Sequence, residues 1–233
     1  MFTALIPVKE FQFAKQRLSG VLRPEERREL AAAMLIDTLE MVSQVPSVSN
    51  IVVVTADPDA RKLAIEHGAD VFEETGAQGL NGALDQAAAR LGTASVSAIM
   101  ILPTDVVLAD ADDLITLTKA HELLGRDLTI VAAGFDFGTN CLLVTPPGAI
   151  SFRFGELSSI RHLEAAQFRG YKANIVRVPN LDRDIDKISD LRFFCKSAPS
   201  RHSWRCLVRN QALERILAPC APNARMADDR TYQ

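Results

Sequence analysis

Short apolar runs alternate along the chain with longer stretches in which apolar residues recur every three or four positions. The runs fall at Phe2–Val8, Asn50–Thr55, Val96–Leu102, Leu128–Ala133 and Cys141–Thr145, and Ala173–Val178 alternates apolar with polar positions. Nearly continuous apolar runs of this length mark strands covered on both faces. Helical spacing occupies Glu25–Val45, Pro58–His67, Leu80–Leu91, Asp112–Leu124 and Leu157–Phe168. Pro24 suits a first helical position, and Glu25 and Glu26 follow it where the helix dipole favours acids. Gly68 supplies a helix stop after His67. Such βαβα order predicts a three-layer α/β fold with a mostly parallel central sheet. No repeat or low-complexity segment interrupts it.

Composition narrows the class. With 233 residues, 48% hydrophobic and 24% charged, the chain has enough material for one large domain or two small ones. No apolar run approaches the roughly 20 residues of a membrane helix, so spanning is not expected. Met1–Lys9 lacks the charged and apolar regions of a secretory signal, which points to the cytoplasm. Cys141, Cys195, Cys206 and Cys220 include no CxxC pair and suggest neither a disulfide framework nor zinc. The net charge of −3 offers no reason to expect nucleic acid as a partner. That charge is unevenly spread, with eight Lys/Arg against three Asp/Glu in residues 191–233 and 18 against 26 before them.

In open α/β sheets ligands bind beyond the carboxyl ends of the strands, so the loops there carry the candidate chemistry. After the first strand come Lys9, Lys15 and Arg17, three cations able to hold a polyphosphate or simply to form a solvated basic loop. The loop is neither a P-loop nor GxGxxG. Gln78-Gly79-Leu80-Asn81-Gly82 is either a ligand-binding turn with an exposed amide or a plain glycine-rich helix start. Leu102-Pro-Thr-Asp105 ends a strand in a carboxylate, a natural ligand for a hard cation and equally a common cap. Asp184 and Asp186, two apart on an extended segment, point the same way. If they meet Asp105, the three can hold Mg²⁺ against phosphate oxygens. Gly138-Thr139 precedes a strand, and Gly155 and Ser158 lie at the start of the last predicted helix, an anion site or an ordinary cap. His67 and His162 read as surface or packing residues and His121 as a helix-surface residue. No spacing supports Ser/His/Asp, Cys/His or zinc chemistry.

Taken together, IPVKxxxxAKxRL, PEER before an amphipathic helix, QGLNxAL, LPxD, GTNxLL…PP, FGxxSxxxH and DID occur in one order over residues 1–192. In that order they resemble the guanylyltransferases of coenzyme F420 biosynthesis, the CofC or FbiD family. The resemblance implies a nucleotidyltransferase (MobA-like, Rossmann-like) fold similar to the molybdenum-cofactor guanylyltransferases. It implies transfer of GMP from GTP to the phosphate of 2-phospho-L-lactate, phosphoenolpyruvate or 3-phospho-D-glycerate, with release of pyrophosphate. By matching motif, Asp105, Asp184 and Asp186 would hold Mg²⁺. Thr139, Gly155 and Ser158 would bind the acid, and Lys9, Lys15 and Arg17 the GTP phosphates. Gly79 and Asn81 would lie near the base, while Lys15 and Asp105 would act at the reacting phosphates. The expected partners are GTP and the acid, with a downstream transferase taking the product, and a homodimer is compatible with the fold.

A phosphate dianion is already nucleophilic at neutral pH, which agrees with the absence of a candidate general base. The remaining task is positioning and charge stabilisation. Two departures from the family pattern are Pro103-Thr104-Asp105-Val106-Val107 in place of LPAD followed by Leu-Pro or a similar proline-containing loop, and Asp186-Lys187-Ile188 without the usual Thr-Pro. Both leave the aspartates in place, and the acceptor acid stays open. Competing readings are a nucleotidyltransferase for another phosphorylated acceptor and a non-catalytic nucleotide-binding protein on the same fold. Against sugar-phosphate or molybdopterin acceptors stands the missing LAGG-type signature after strand one. Residues 193–233 read as a basic extension, either carrying a short amphipathic helix at Trp204–Leu217 that packs on the domain or a partner subunit, or disordered, above all after Pro219.

Overall fold

A computed structural model describes residues 1–73, 79–94, 96–134, 136–197 and 200–218. The central layer comprises β1 (Phe2–Val8), β2 (Val48–Thr55), β3 (Asp70–Glu73), β4 (Ala98–Ile101), β5 (Leu128–Ala132), β6 (Thr139–Val144) and β7 (Ala173–Val176). They form one sheet ordered β3-β2-β1-β4-β6-β5-β7. The neighbours pair in parallel except at β6, which runs against β4 and β5. β3 escapes the periodicity reading because Asp-Val-Phe-Glu is short, half exposed and on the sheet's edge.

The helices are α1 (Pro24–Ser43), α2 (Pro58–Glu66), α3 (Gly79–Thr93), α4 (Ala111–Leu123), α5 (Ser158–Phe168), α6 (Ile188–Ser197), α7 (His202–Arg209) and α8 (Leu213–Leu217). β1 shows why its run is continuous. Ala4 and Ile6 pack with Leu35 and Leu39 of α1, Ala60 of α2 and Leu114 of α4. Leu5, on the other face, packs with Leu84 of α3, Phe152 and Ala166 of α5. Both faces are covered, and the sequence pattern is that of a strand with no wet side. Among the described residues no helix is long and apolar enough to cross a membrane.

A third cluster explains α1. Leu30 and Met34 turn away from the sheet toward Phe194 of α6, Leu207 of α7 and Ile216 of α8, with Leu18 and Ile185 between them. Asp37, buried on α1, accepts the backbone N–H groups of His202 (2.7 Å) and Ser203 (3.0 Å) and the Ser203 hydroxyl, capping α7 from another helix. Glu26 receives both terminal nitrogens of Arg215 at 2.6 and 3.1 Å. The single helix expected at Trp204–Leu217 is two, broken at Gln211, whose φ is +51°. α6 was hidden by the missing Thr-Pro. Asp190, in the first turn of α6, accepts the N–H groups of Asp186 (3.3 Å) and Lys187 (2.8 Å) and so fixes how the chain enters the helix. The expected disorder after Pro219, Cys220 and Gln78 lie outside the described residues.

His121 corrects the sequence reading. It is buried inside α4's packing face, its ring nitrogens 2.9 Å from the Thr129 hydroxyl and 3.2 Å from the Thr145 hydroxyl. Its imidazole fills polar space that a helix wheel cannot show.

Candidate active site

The loop after β1 makes two short 3-10 turns, Phe11–Phe13 and Gln16–Leu18, with Lys15 between them. Phe11 N–H donates to Asp57 at 2.7 Å, tying the loop to the start of α2. Leu18 sinks into the third cluster. Lys15 adopts φ +51°, ψ +39°, a left-handed conformation that a non-glycine residue takes at a cost of about 1–2 kcal/mol. From there its side chain, only 10% exposed, runs inward.

What it meets is acidic. Lys15 Nζ lies 3.1 Å from Asp105 Oδ2 and 3.5 Å from Asp186 Oδ1, and donates to the Ile185 carbonyl at 2.7 Å. Asp105 follows β4, while Asp184 and Asp186 lie on the segment leading into α6. Ile185 N–H donates to the Asp105 carbonyl at 3.1 Å and joins the two segments. Ile185 is buried in the third cluster, and the alternation of extended chain turns both flanking carboxylates away from it. One oxygen from each of Asp105, Asp184 and Asp186 lies within 4.8 Å of the others. All three are half-buried.

Burial pushes Asp184 up to about 6, and the neighbouring Asp105 and Asp186 carboxylates add to the shift. Burial alone would lower Lys15, but the Asp105 and Asp186 charges outweigh it and raise it above the ordinary lysine value. Arg17 Nη1 reaches Asp186 Oδ2 at 3.2 Å from an exposed position, and Lys9 is exposed at the end of β1. Lys15 and Arg17 thus join the aspartates, and Lys9 stands apart at the loop's start.

The second group forms where β6 begins. Thr139 pairs with Ala132, the last residue of β5, and so lies at the sheet's carboxyl edge because β6 is reversed. Asn140 Nδ2 donates to the Leu181 carbonyl at 3.0 Å and Gly134 N–H to the Asp182 carbonyl at 2.7 Å, fastening this edge to the chain that enters Asp184. Ser158, at the first turn of α5, donates its hydroxyl to Thr139 Oγ1 at 2.9 Å. Both residues are buried. Gly155 adopts φ +131°, which favours glycine, and space is open where a Cβ would project.

Gly79 begins α3 with φ +63°. Asn81 is engaged in two directions: its Nδ2 donates to the Phe154 carbonyl at 3.1 Å, and Phe154 N–H donates to its Oδ1 at 2.8 Å. Asp85, one turn on, accepts Phe152 N–H at 2.9 Å. The amide expected near the base therefore holds Phe154 against α3, while Asp85 holds Phe152. His162, read as a packing or surface residue, is fully buried one helical turn beyond Ser158, within 3.1 Å of Thr139 Oγ1. Its signal was the i, i+4 spacing inside FGxxSxxxH.

The oxygen-rich triad suits a hard divalent cation, and its half-buried, mutually repelling carboxylates already draw in an ammonium. Among the described residues it is the one group of three such side chains positioned to share an ion. Cys141, Cys195 and Cys206 are free, and burial pushes Cys141 up to about 12. Two clefts of about 500 and 470 Å³ lie beside the α6–α7 turn, and neither is lined by Asp105, Asp184, Asp186, Thr139 or Ser158.

Comparison with known proteins agrees with the geometry. A family profile described as "Guanylyl transferase CofC like" matches residues 2–203. A phosphoenolpyruvate guanylyltransferase of Roseiflexus sp. (strain RS-1) is 41% identical over 81% of this chain and 82% of its own length. A 2-phospho-L-lactate guanylyltransferase of Methanothermobacter thermautotrophicus is 34% identical over 81% of each chain. A 3-phospho-D-glycerate guanylyltransferase of Colwellia psychrerythraea is 32% identical over 80% of this chain and 88% of its own. A solved structure of the nucleotide-diphospho-sugar transferase type, from Desulfovibrio desulfuricans G20, superimposes with a TM-score of 0.72 over 93% of this chain and 99% of its own, at 18% identity. The last comparison concerns the fold alone.

Proposed function

This chain belongs to the CofC-like guanylyl transferase family, and from that premise we propose that it transfers GMP from GTP to the phosphate of a three-carbon phospho-acid. It is a nucleotidyltransferase, and its relatives are named for phosphoenolpyruvate, 2-phospho-L-lactate and 3-phospho-D-glycerate. Coenzyme F420 biosynthesis is the setting consistent with the family. The observation that carries the reading is the meeting of Asp105, Asp184, Asp186 and Lys15 at the sheet's carboxyl edge.

In this reading Asp105, Asp184 and Asp186 would hold Mg²⁺, which would supply charge neutralisation at a phosphate beside them. Lys15, Arg17 and Lys9 hold the GTP phosphates, with Lys15 and Asp105 at the reacting centre. Thr139, Gly155 and Ser158 receive the acid. Gly79 lies toward the base, and Asn81 sets the position of Phe154 beside it. An oxygen of the acid's phosphate forms the new bond to the α-phosphorus, and the bond from that phosphorus to the β-bridging oxygen breaks. Pyrophosphate leaves with the electron pair. No proton has to be removed from a phosphate dianion, so the site has no use for a general base. Its work is to hold two anions in line and to stabilise the charge between them.

We read residues 1–192 as the transferase domain and the segment from 193 as an extension fastened to α1 through Asp37 and Glu26. An acceptor screen tests the function. The protein is incubated with GTP or ATP, Mg²⁺ and each of the three acids, alone and coupled to a downstream transferase, and products are read by mass spectrometry. One acid yielding a GMP adduct with pyrophosphate is the expected result. If no acid yields an adduct even when coupled, the proposal fails.

A further inference from the structure

The hydrogen bonds around the Thr139–Ser158 pair fix where one proton must go. Arg153 presents a backbone N–H to His162 Nε2 at 2.9 Å, and a backbone N–H can only donate. Nε2 therefore carries a lone pair, and the imidazole proton sits on Nδ1. That nitrogen lies 3.1 Å from Thr139 Oγ1, which accepts from it. Thr139 Oγ1 is also 2.9 Å from Ser158 Oγ.

The two hydroxyls own two protons. One lies between them. The other cannot return to His162, whose facing nitrogen is already protonated. Among the described residues neither oxygen has a further partner, although Ser158 and His162 are fully buried and Thr139 nearly so. Buried hydroxyls rarely leave a proton unused. The spare O–H is aimed out of the network, and an anionic oxygen is the ligand chemistry that takes it best.

We propose that His162 is a positioning residue of the acceptor site: by keeping its proton on Nδ1, it compels the Thr139–Ser158 pair to present an O–H donor to an anionic oxygen of the phospho-acid. The inference rests on the guanylyltransferase reading and extends it to a residue that never touches substrate. Three features hold the device in one state. Burial pushes His162 down to about 4, so the ring stays neutral through the physiological range. Phe154 packs edge-on against it, centroids 5.0 Å apart. Asn81 grips Phe154 at both backbone groups, which keeps the neighbouring Arg153 N–H pointed at the ring. A chain of contacts thus runs from the start of α3 to the hydroxyl pair, and gives Asn81 a purpose other than reading a base.

The test uses the full chain with the acid identified by the screen. His162→Phe keeps an aromatic ring but removes the Nδ1–H. It is expected to raise KM for the acid about 10- to 100-fold with KM for GTP unchanged, the range for losing one buried hydrogen bond to a charged group. His162→Asn returns an N–H near the Nδ1 position and should recover acid KM to within about 3-fold of wild type. Equal increases in both KM values, or an Asn variant no better than Phe, would assign His162 to packing alone and overturn the proposal. A fold-independent arm is the ¹⁵N spectrum of the wild-type imidazoles, in which His162 must show the Nδ1–H tautomer. The Nε2–H tautomer there would overturn the proposal without any variant. Wild-type protein that turns over none of the acids would sink the guanylyltransferase reading, and the tautomer spectrum would still decide the hydrogen-bond arrangement.

Discussion

Replacing Lys15 by methionine should make the free enzyme bind a divalent cation more tightly while making it a poorer nucleotide enzyme. The ammonium now occupies the space among the carboxylates, 3.1 Å from Asp105 and 3.5 Å from Asp186, and any ion must compete with it for the same oxygens. Only the first contact is short enough to count as a full hydrogen bond; the second is marginal. One charge-assisted bond in a half-buried site is worth about 1.5–3 kcal/mol. Removing the competitor should therefore release about 2 kcal/mol, a roughly 30-fold gain in metal affinity. Methionine keeps the stem's length and apolar packing. Mn²⁺ titration followed by electron paramagnetic resonance, without nucleotide, reads the effect directly, and Asp105→Asn should lose affinity in the same assay. GTP binding should move the other way, because the variant lacks the cation that would meet the phosphates. A Lys15→Met protein whose Mn²⁺ affinity equals or falls below wild type would show that the ammonium does not compete for the triad.

Two further outcomes follow, one from the triad and one from the anchor of the C-terminal helices. Asp105→Asn should cut turnover at least about 100-fold, by the loss of charge at the reacting phosphate. Its melting temperature should stay within about 3 °C of wild type, since Asp105 is partly exposed and lies in a loop; full activity would remove it from the site. Glu26→Gln should loosen the C-terminal helices. Burial would raise this carboxyl, but hydrogen bonds from Arg215 and Arg23 prevail and lower it from 4.5 to about 2. A depressed folded value means the stabilisation is complete above about pH 5 and fades as pH falls toward 2. At neutral pH the variant should lose about 2–3 kcal/mol, or about 5–10 °C in Tm for a chain of this size. Calorimetry at pH 7 and pH 3.5 checks the sign: the gap between the proteins must narrow in acid.

The sheet and most helices were legible because two-sided burial writes continuous apolar runs and one-sided burial writes helical spacing. Both signals fail at edges. β3 is half exposed, and α6 begins without the expected Thr-Pro, its entry fixed by Asp190 accepting the Lys187 N–H. Within the candidate site, residue types and order pointed to Asp105, Asp184 and Asp186, but their proximity depends on a backbone bond between residues 80 apart in the chain, Ile185 and Asp105. Nothing in local pattern encodes that. Asn81 and His162 show the complementary limit. Their side chains could be assigned only when their partners, the backbone groups of residues 153 and 154, were placed in space.

The packing also resolves an apparent conflict between charge and task. A chain of net charge −3 is proposed to gather two anionic substrates, and its basic surplus lies in residues 191–233, far in sequence from the loop that meets them. The extension serves the site through apolar contact. Leu18, three residues after Lys15, and Ile185, between Asp184 and Asp186, are both buried in the cluster completed by Phe194, Leu207 and Ile216. The loop that carries the cations and the segment that carries the carboxylates thus share one floor, and α6–α8 build much of it. Arg209 and Arg215 meanwhile pair with Glu29 and Glu26 on α1, so two of the segment's positive charges go to holding that floor in place. Local geometry, with Lys15 drawn among three carboxylates, sets the charge that a phosphate would meet, and the overall sum of charges does not.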